Sequence, residues 1–272
     1  MRQKKLCFIG AGNMTRSITN GLVKSGYPPE FIHATNPSEA KLTQLHQELG
    51  IKVSHDNLAA TQEADVVILA VKPQLMQQVC EQLSTLDLSQ KLIVTIAAGV
   101  TASRYHDYFK QAIKLIRTMP NTPTQIGYGM TGLYAEQSVS DADRFLCEQI
   151  MKSGGEVVWV SKEDELNQVI ALAGSSPAYF FLMMEAMIDS AKQDGVDEAI
   201  ARALVQQAAL GAAQMIKHNG HLSARQLREN VTSKGGTTAQ AIAAFEQADL
   251  RGIVRGAMHD CMARAEEMAK QF

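Results

Sequence analysis

Several patterns that announce a function are missing from this chain, and each absence narrows what it can do. The four cysteines, Cys7, Cys80, Cys147 and Cys261, are far apart and form no CxxC, which removes support for a cysteine metal site or a disulfide framework. Charge is nearly balanced, with 26 Lys and Arg against 28 Asp and Glu, and no basic stripe runs along any segment. A nucleic-acid partner is therefore not expected. No continuous apolar run approaches the roughly 18 residues that span a bilayer, so no membrane partner is expected either. The opening MRQKKLCFIGAG places basic residues before an apolar run, but only four apolar residues precede the glycines, too few for the h-region of a signal peptide. The expectation is a reduced, cytoplasmic protein. The seven histidines form no metal or triad pattern, so no metal is expected. Low-complexity linkers and internal repeats are also lacking.

What is present divides at about residue 160. A length of 272 residues suggests two domains at about 100 to 200 residues each. In the first half the apolar runs KLCFIG, FIHAT, DVVILAV, KLIVTIA and AIKLIRT are bounded by turn or cap residues, and amphipathic stretches of helical length separate most of them. That alternation predicts βαβ units and a mainly parallel sheet. Beyond about 160 the period becomes helical. Gly195 before Asp197 reads as a stop and a new N-cap, and Gly220 with Ser223 and Gln226 as a stop followed by a capping box. The segments LMMEAMIDSA and VDEAIARALVQQAALGAAQMI are too apolar for a solvated surface; such helices are buried in a bundle or against another subunit. The predicted organisation is an α/β dinucleotide-binding domain over 1–160 and an all-α domain over 161–272.

The strongest motif of the first half is IGAGNMTRSI. A strand runs into Gly10-Ala11-Gly12 and then a helix opening at Asn13 and Met14, the context a dinucleotide fingerprint requires. Gly10 suits a tight turn, and Gly12 lets a pyrophosphate approach amides at the helix N-terminus. Thr15 stands where a third glycine is usual. The next strand ends at HATNPS, about 20 residues on, where NAD-preferring proteins place an acid for the ribose 2'-hydroxyl. Thr35, Asn36 and Ser38 stand there instead, which favours NADP(H). With no arginine beside them the preference should be modest, leaving NAD(H) as a second cofactor. Asn36-Pro37-Ser38 is at the same time a good helix start.

Three further loops follow strands, and the first two lie where ligands of an open sheet usually bind, making Ala70, Val71, Lys72, Pro73, Ala97 and Ala98 candidate cofactor positions. In AVKPQ, Ala70 and Val71 end a strand, Lys72 reads as solvated and Pro73 suits a first helical position. In IAAGV, Ala97, Ala98 and Gly99 bring backbone near a cofactor without bulk. In RTMPNTP, two prolines bracket Asn121 and Thr122, predicting a stiff turn with exposed polar side chains. Each loop alone also fits packing or a turn between domains. Near the carboxyl end, VTSKGGTTAQ interrupts helical sequence with small hydroxyl and glycine residues around Lys234.

Taken in order, IGAGNM, AVKPQ, IAAGV, RTMPNTP, AGSSPAY followed by EAMIDSA, and VTSKGGTTAQAI resemble pyrroline-5-carboxylate reductase over nearly the whole chain. The last two motifs are the specific ones. Departures are Thr15, Ser176 and Lys234, where the family usually has a small residue, a glycine and, in many members, a proline. The resemblance implies an N-terminal Rossmann domain and a helical domain that interleaves with its twin in a homodimer, often within a ring of dimers. It implies reduction of (S)-1-pyrroline-5-carboxylate to proline by NADPH or NADH. Substrate positions carried over are Glu163, Val231, Thr232, Ser233, Gly235, Gly236, Thr237 and Thr238, with the Thr238 hydroxyl facing the ring nitrogen as the catalytic group. Amides around Ser233, Gly236 and Thr237 would grip the carboxylate, and the loop would meet the other subunit's cofactor domain. Asn57 and Asn230 are similar to cofactor-contacting positions. From the residues alone Asn57 is equally a helix cap, and Glu163 a helix-starting acid. The alternatives are another NADP-dependent imine or hydroxyacid reductase, which would usually carry a lysine base, and a dinucleotide-binding protein without activity.

Overall fold

The structure is a computed structural model and describes residues 3–271. The strands of its first part are β1 (Leu6–Ile9), β2 (Ile32–Thr35), β3 (Lys52–Ser54), β4 (Val66–Leu69), β5 (Leu92–Thr95), β6 (Lys114–Met119), β7 (Gly129–Ala135) and β8 (Gly155–Trp159). The helices between them are α1 (Asn13–Lys24), α2 (Glu39–Leu49), α3 (Asn57–Glu63), α4 (Met76–Leu83), α5 (Ala102–Phe109) and α6 (Asp141–Lys152). The strands make one sheet in the order β3-β2-β1-β4-β5-β6-β7-β8. Pairing is parallel throughout except between β6 and β7, which a loop carrying the 3-10 helix Thr122–Ile126 joins.

Strands β1, β4 and β5 are buried along their whole length, because helices cover both faces. Alternation along β1 divides the core. Leu6 and Phe8 join Ile18, Leu22, Leu42, Leu45 and Ile150 on one face, while Cys7 and Ile9 join Ala60, Met76, Cys80, Tyr105 and Phe109 on the other. The chain crosses from β1 to β2 on one side and later to β4 on the other, so strand order reverses at β1. In an open α/β sheet a crevice opens beyond the carboxyl ends of the strands at that point.

After β8 the chain is helical. The short α7 (Glu165–Val169) runs through a π turn, Ile170–Gly174, into α8 (Ser176–Gln193). There follow α9 (Glu198–His218), α10 (Ala224–Asn230), α11 (Thr237–Gln247) and α12 (Leu250–Gln271). The predicted punctuation is present. Gly195 has φ +83°, Asp197 caps α9 by accepting from Ala199 N and Ile200 N, and Ser223 with Gln226 forms a capping box at α10. Two compact units result, one extending to Ser175 and resuming from Cys261, the other Ser176–Asp260.

The second unit keeps little apolar surface inside. Neither α8 nor α11 has a buried residue, and α9 buries only Ala201 and Val205. Phe180, Phe181, Leu182 and Leu204 are each more than 60% exposed. The helical stretch Glu165–Gln193 contains an 18-residue window of mean hydropathy 1.4 with 11% of it buried. By length and composition alone it could cross a bilayer, although no continuous apolar run reaches that length because Glu185 and Asp189 interrupt it.

Candidate active site

The glycine turn sits at the sheet crevice. Gly10 N donates to Thr35 O at 2.8 Å and Ala70 N to Ile9 O at 2.9 Å, drawing the ends of β2, β1 and β4 together. Gly10 has φ +111°, and a Cβ there would lie 2.7 Å from Ala70 O; only glycine meets both demands. Gly12 is different. Its dihedrals are ordinary for an N-cap, and no protein atom lies within 4 Å of where its Cβ would project. The protein's own packing does not require that glycine, whereas a group approaching the turn would. Helix α1 also starts without a capping side chain or an acid in its first turn, so its first amides and partial positive charge are open to an anion. Asn13 is exposed and Met14 partly buried at this start. These features fit the pyrophosphate of a dinucleotide.

Thr15, in place of the third glycine, is fully buried, and its Oγ1 donates to Gly10 O at 2.7 Å. The hydroxyl pins the turn from below. Close helix packing falls instead to Gly21, whose Cβ would meet Ser153 O at 2.3 Å.

At the end of β2 the polar residues are engaged with each other. Asn36 Oδ1 accepts from Ala11 N at 3.1 Å. Thr35 is buried, and its hydroxyl donates to Asn57 Oδ1 at 2.6 Å, so it is not a free donor for a ribose. Ser38 is the N-cap residue of α2 but makes no side-chain cap bond. Asn57 is not a cap: Asp56 fills that role with bonds from Leu58 N and Ala59 N. Asn57 instead reaches across to Thr35 and donates to Gln82 Oε1 at 3.2 Å. Beside this cluster lies His55, with Nδ1 2.7 Å from Asn36 O and Nε2 2.8 Å from Glu39 Oε2. The sequence reading missed both His55 and Glu39.

The remaining loops line the same edge. Ala70 and Val71 are partly buried after β4, Lys72 is exposed, and Pro73 opens a 3-10 turn. Ile96 N donates to Leu69 O at 3.1 Å, setting Ala97 and Ala98 beside them. Gly99 has φ +76°, and its Cβ would touch Met268 Cβ at 3.0 Å. Glu163 does not act on its own helix. Its Oε1 accepts from Ala102 N at 2.6 Å and from Arg117 Nη1 at 2.5 Å, tying the start of α5, and with it the Ala97–Gly99 turn, to β6. Arg117 Nε is buried with no hydrogen-bond partner. Arg117 was not singled out from sequence, and its distance of 46 residues from Glu163 offers no local signal.

The RTMPNTP loop departs from expectation. Asn121 is buried, donates through Nδ2 to Ala173 O at 3.0 Å and accepts from Met130 N at 2.9 Å. It is a clamp on β7 and on the π turn, because a buried amide side chain must satisfy both its donor and its acceptor. Thr122 alone of the pair is exposed.

In the helical unit, VTSKGGTTAQ forms the turn between α10 and α11. Asn230 ends α10 and is exposed with Val231. Thr232 Oγ1 donates to Arg228 O at 2.6 Å. Gly235 has φ +76°, and a Cβ on Gly236 would lie 2.6 Å from Ser233 Oγ. The Gly236 N–H closes the turn onto Ser233 O at 3.1 Å and is thereby committed. Gly236 caps α11 with backbone alone and the first turn holds no acid, so the amides of Thr237 and Thr238 have no intrahelical acceptor. The Thr238 side chain is exposed beside them. Two open amides, a hydroxyl and no carboxylate make a receptor for a small anion.

Groups capable of nucleophilic or metal chemistry are scarce around either feature. Burial pushes the thiols of Cys7 and Cys80 up to about 12 and raises that of Cys147 further, so none is a thiolate near neutrality. Among the described residues no three His, Cys, Asp or Glu side chains cluster to hold a metal.

Residues 163–268 match the family model described as pyrroline-5-carboxylate reductase dimerisation, and residues 5–99 that of NADP oxidoreductase, coenzyme F420-dependent. The pyrroline-5-carboxylate reductase of Vibrio alginolyticus is 52% identical over 272 residues, covering all of both chains. That of Haemophilus influenzae is 43% identical with the same coverage. Among solved structures, a pyrroline-5-carboxylate reductase from Coxiella burnetii superposes with a TM-score of 0.93 at 40% identity, over 98% of this chain and 99% of its own. The Plasmodium falciparum enzyme, solved with NADP bound, reaches 0.88 at 25% identity, over 99% of each chain. With identity at this level end to end and both units matched, the chain belongs to the pyrroline-5-carboxylate reductase family.

Proposed function

We propose that the protein reduces (S)-1-pyrroline-5-carboxylate to L-proline with NADPH, and more weakly with NADH, as the last step of proline synthesis. The observation that carries this reading is the start of α11: open amides at Thr237 and Thr238, an exposed hydroxyl and no acid in the first turn. It suits a substrate that brings a carboxylate and needs no base. A hydroxyacid oxidation would need a base to take a proton, and Lys234, the one lysine of this loop, stands among glycines with no orienting partner.

When bound, the reduced nicotinamide supplies the hydride, which goes to the imine carbon of the substrate. The protein's tasks are placement and proton supply. Gly10, Ala11, Gly12, Asn13 and Met14 hold the pyrophosphate end. Thr35, Asn36, Ser38 and Asn57 shape the ribose side, and Ala70 to Pro73 with Ala97 and Ala98 form the wall along the strand ends. Asn230 stays with the cofactor, and residues 231–238 hold the substrate: the Thr237 and Thr238 amides take the carboxylate, and Ser233, Gly235 and Gly236 keep the turn open. The Thr238 hydroxyl bonds to the ring nitrogen, which carries its proton as an iminium or receives one through Thr238 and water, becoming the secondary amine of proline. Glu163 acts by fixing the turn beside Ala97 and Ala98 rather than by touching substrate.

Residues 1–160 are assigned to cofactor binding and 161–272 to substrate binding and dimerisation. The exposed apolar faces of α8, α9 and α11 then meet a second copy in an interleaved dimer, with a ring of dimers as the larger assembly. On this reading Glu165–Gln193 lies at a subunit interface of a soluble cytoplasmic enzyme rather than in a bilayer. The test is NADPH absorbance with purified protein and pyrroline-5-carboxylate, repeated with NADH. Rapid oxidation only when the imine is present is the expected result; NADPH binding without turnover would refute the reductase.

A further inference from the structure

The turn after β2 holds a charge pair that bears on cofactor choice. His55 Nδ1 is 2.7 Å from the Asn36 carbonyl and Nε2 is 2.8 Å from the Glu39 carboxylate. A backbone carbonyl and an ionised carboxylate accept only, so both contacts are satisfied together when both ring nitrogens carry protons, as in an imidazolium. The same two bonds raise the His55 pKa above its ordinary 6.5, the Asn36 carbonyl contributing most and Glu39 next. Glu39, at the start of α2, is the charged group acting on it. Asp56, next in the chain, is occupied at the start of α3 by Leu58 N and Ala59 N.

The location matters because Asn36 joins this pair to the glycine turn: its side chain accepts from Ala11 N while its carbonyl holds His55. In dinucleotide folds the end of the second strand meets the ribose 2' position, where an acid favours a hydroxyl and a cation favours a phosphate. This turn carries one of each, bonded together and exposed, at 55% for His55 and 76% for Glu39. An exposed pair of this kind is weak and exchangeable.

Resting on the dinucleotide reading above, we propose that His55 and Glu39 form the element that discriminates between NADPH and NADH, His55 leaving Glu39 to pair with a 2'-phosphate and Glu39 accepting from a 2'-hydroxyl. The pair accounts for NADP binding without an arginine, and for tolerance of both cofactors. It also makes the preference depend on pH. A 2'-phosphate keeps its charge above its second pKa of about 6, so from about pH 7 to pH 9 the change in preference follows loss of the His55 proton. NADPH preference is present below the raised His55 pKa and fades as pH rises through it.

Calorimetric binding of 2',5'-ADP and 5'-AMP to the full chain tests this without turnover. At about pH 7, His55→Gln should weaken 2',5'-ADP about fivefold, a modest effect for an exposed charge, and leave 5'-AMP unchanged. Glu39→Gln should strengthen 2',5'-ADP and weaken 5'-AMP. The wild-type preference should shrink by pH 9, and that of His55→Gln should not. Equal loss of both ligands in His55→Gln would mean a merely structural role, and no change in either would remove His55 from the site; both overturn the proposal. Nitrogen NMR of the His55 ring at about pH 7 should show the doubly protonated form, and a neutral ring would also contradict it. Imine turnover by the wild-type protein is a separate readout: its absence would end the reductase reading and leave these affinities standing.

Discussion

The two units of this chain solve burial in opposite ways. In the sheet unit, β1, β4 and β5 are sealed on both faces, and Tyr105, Phe8 and Phe109 are fully buried. In the helical unit the large side chains Phe180, Phe181, Leu182 and Leu204 are outside. Similar proportions of apolar residue thus have different consequences. Exposed apolar surface on a monomer usually marks an interaction site, and the exposed helices of the second unit fall in the stretch 163–268 that matches a dimerisation family. Cofactor binding should tolerate damage to the helices, and turnover should not.

The most severe way to break the contrast is in the sheet unit. Gly10→Val combines a positive φ with a Cβ 2.7 Å from Ala70 O, and should cost about 3 kcal/mol or more while abolishing NADPH binding; calorimetry and thermal unfolding would register both. Next, Leu204→Glu puts a charge on the exposed face of α9. It should dissociate the assembly and lose most imine turnover while NADPH affinity stays near wild type, as light scattering and fluorescence titration can report. Thr238→Ala, which leaves both cores intact, should lower kcat about 100-fold without weakening NADPH; an unchanged rate would remove Thr238 from the mechanism. Glu163→Gln should be mildest for chemistry. It leaves Arg117, whose side chain is 11% exposed, without its counter-charge and should cost about 2 kcal/mol. Its effect on catalysis should appear in the NADPH KM before kcat, because the Ala97–Gly99 turn loosens.

The same contrast governs what could be read from sequence. Strands β1, β2, β4, β5 and β6 are apolar runs between turn signals and were legible. Strand β3 is three residues at the sheet edge, too short to show a period. Strand β7, GMTGLYA, carries two glycines, which read as loop. They are needed because a Cβ at Gly129 would meet Thr124 Oγ1 at 2.2 Å and one at Gly132 would meet Val169 Cγ1 at 2.6 Å. Local signals such as the Gly10 turn, the Asp197 cap and the Ser223 capping box were visible because their partners are within a few residues. Asn121, bonded to Ala173, reads as exposed, and the Glu163–Arg117 pair does not show in the sequence, because the partners lie 52 and 46 residues away. His55 carries no local signal either, because its partners Asn36 and Glu39 lie 19 and 16 residues away.

The most direct measurement is the molar mass of the catalytically active species by light scattering coupled to gel filtration. The account predicts at least twice the 29.6 kDa of one chain, with imine-dependent NADPH oxidation confined to that peak. Full activity in a 29.6 kDa monomer would contradict it, because the apolar faces of α8, α9 and α11 would then have no partner to cover them.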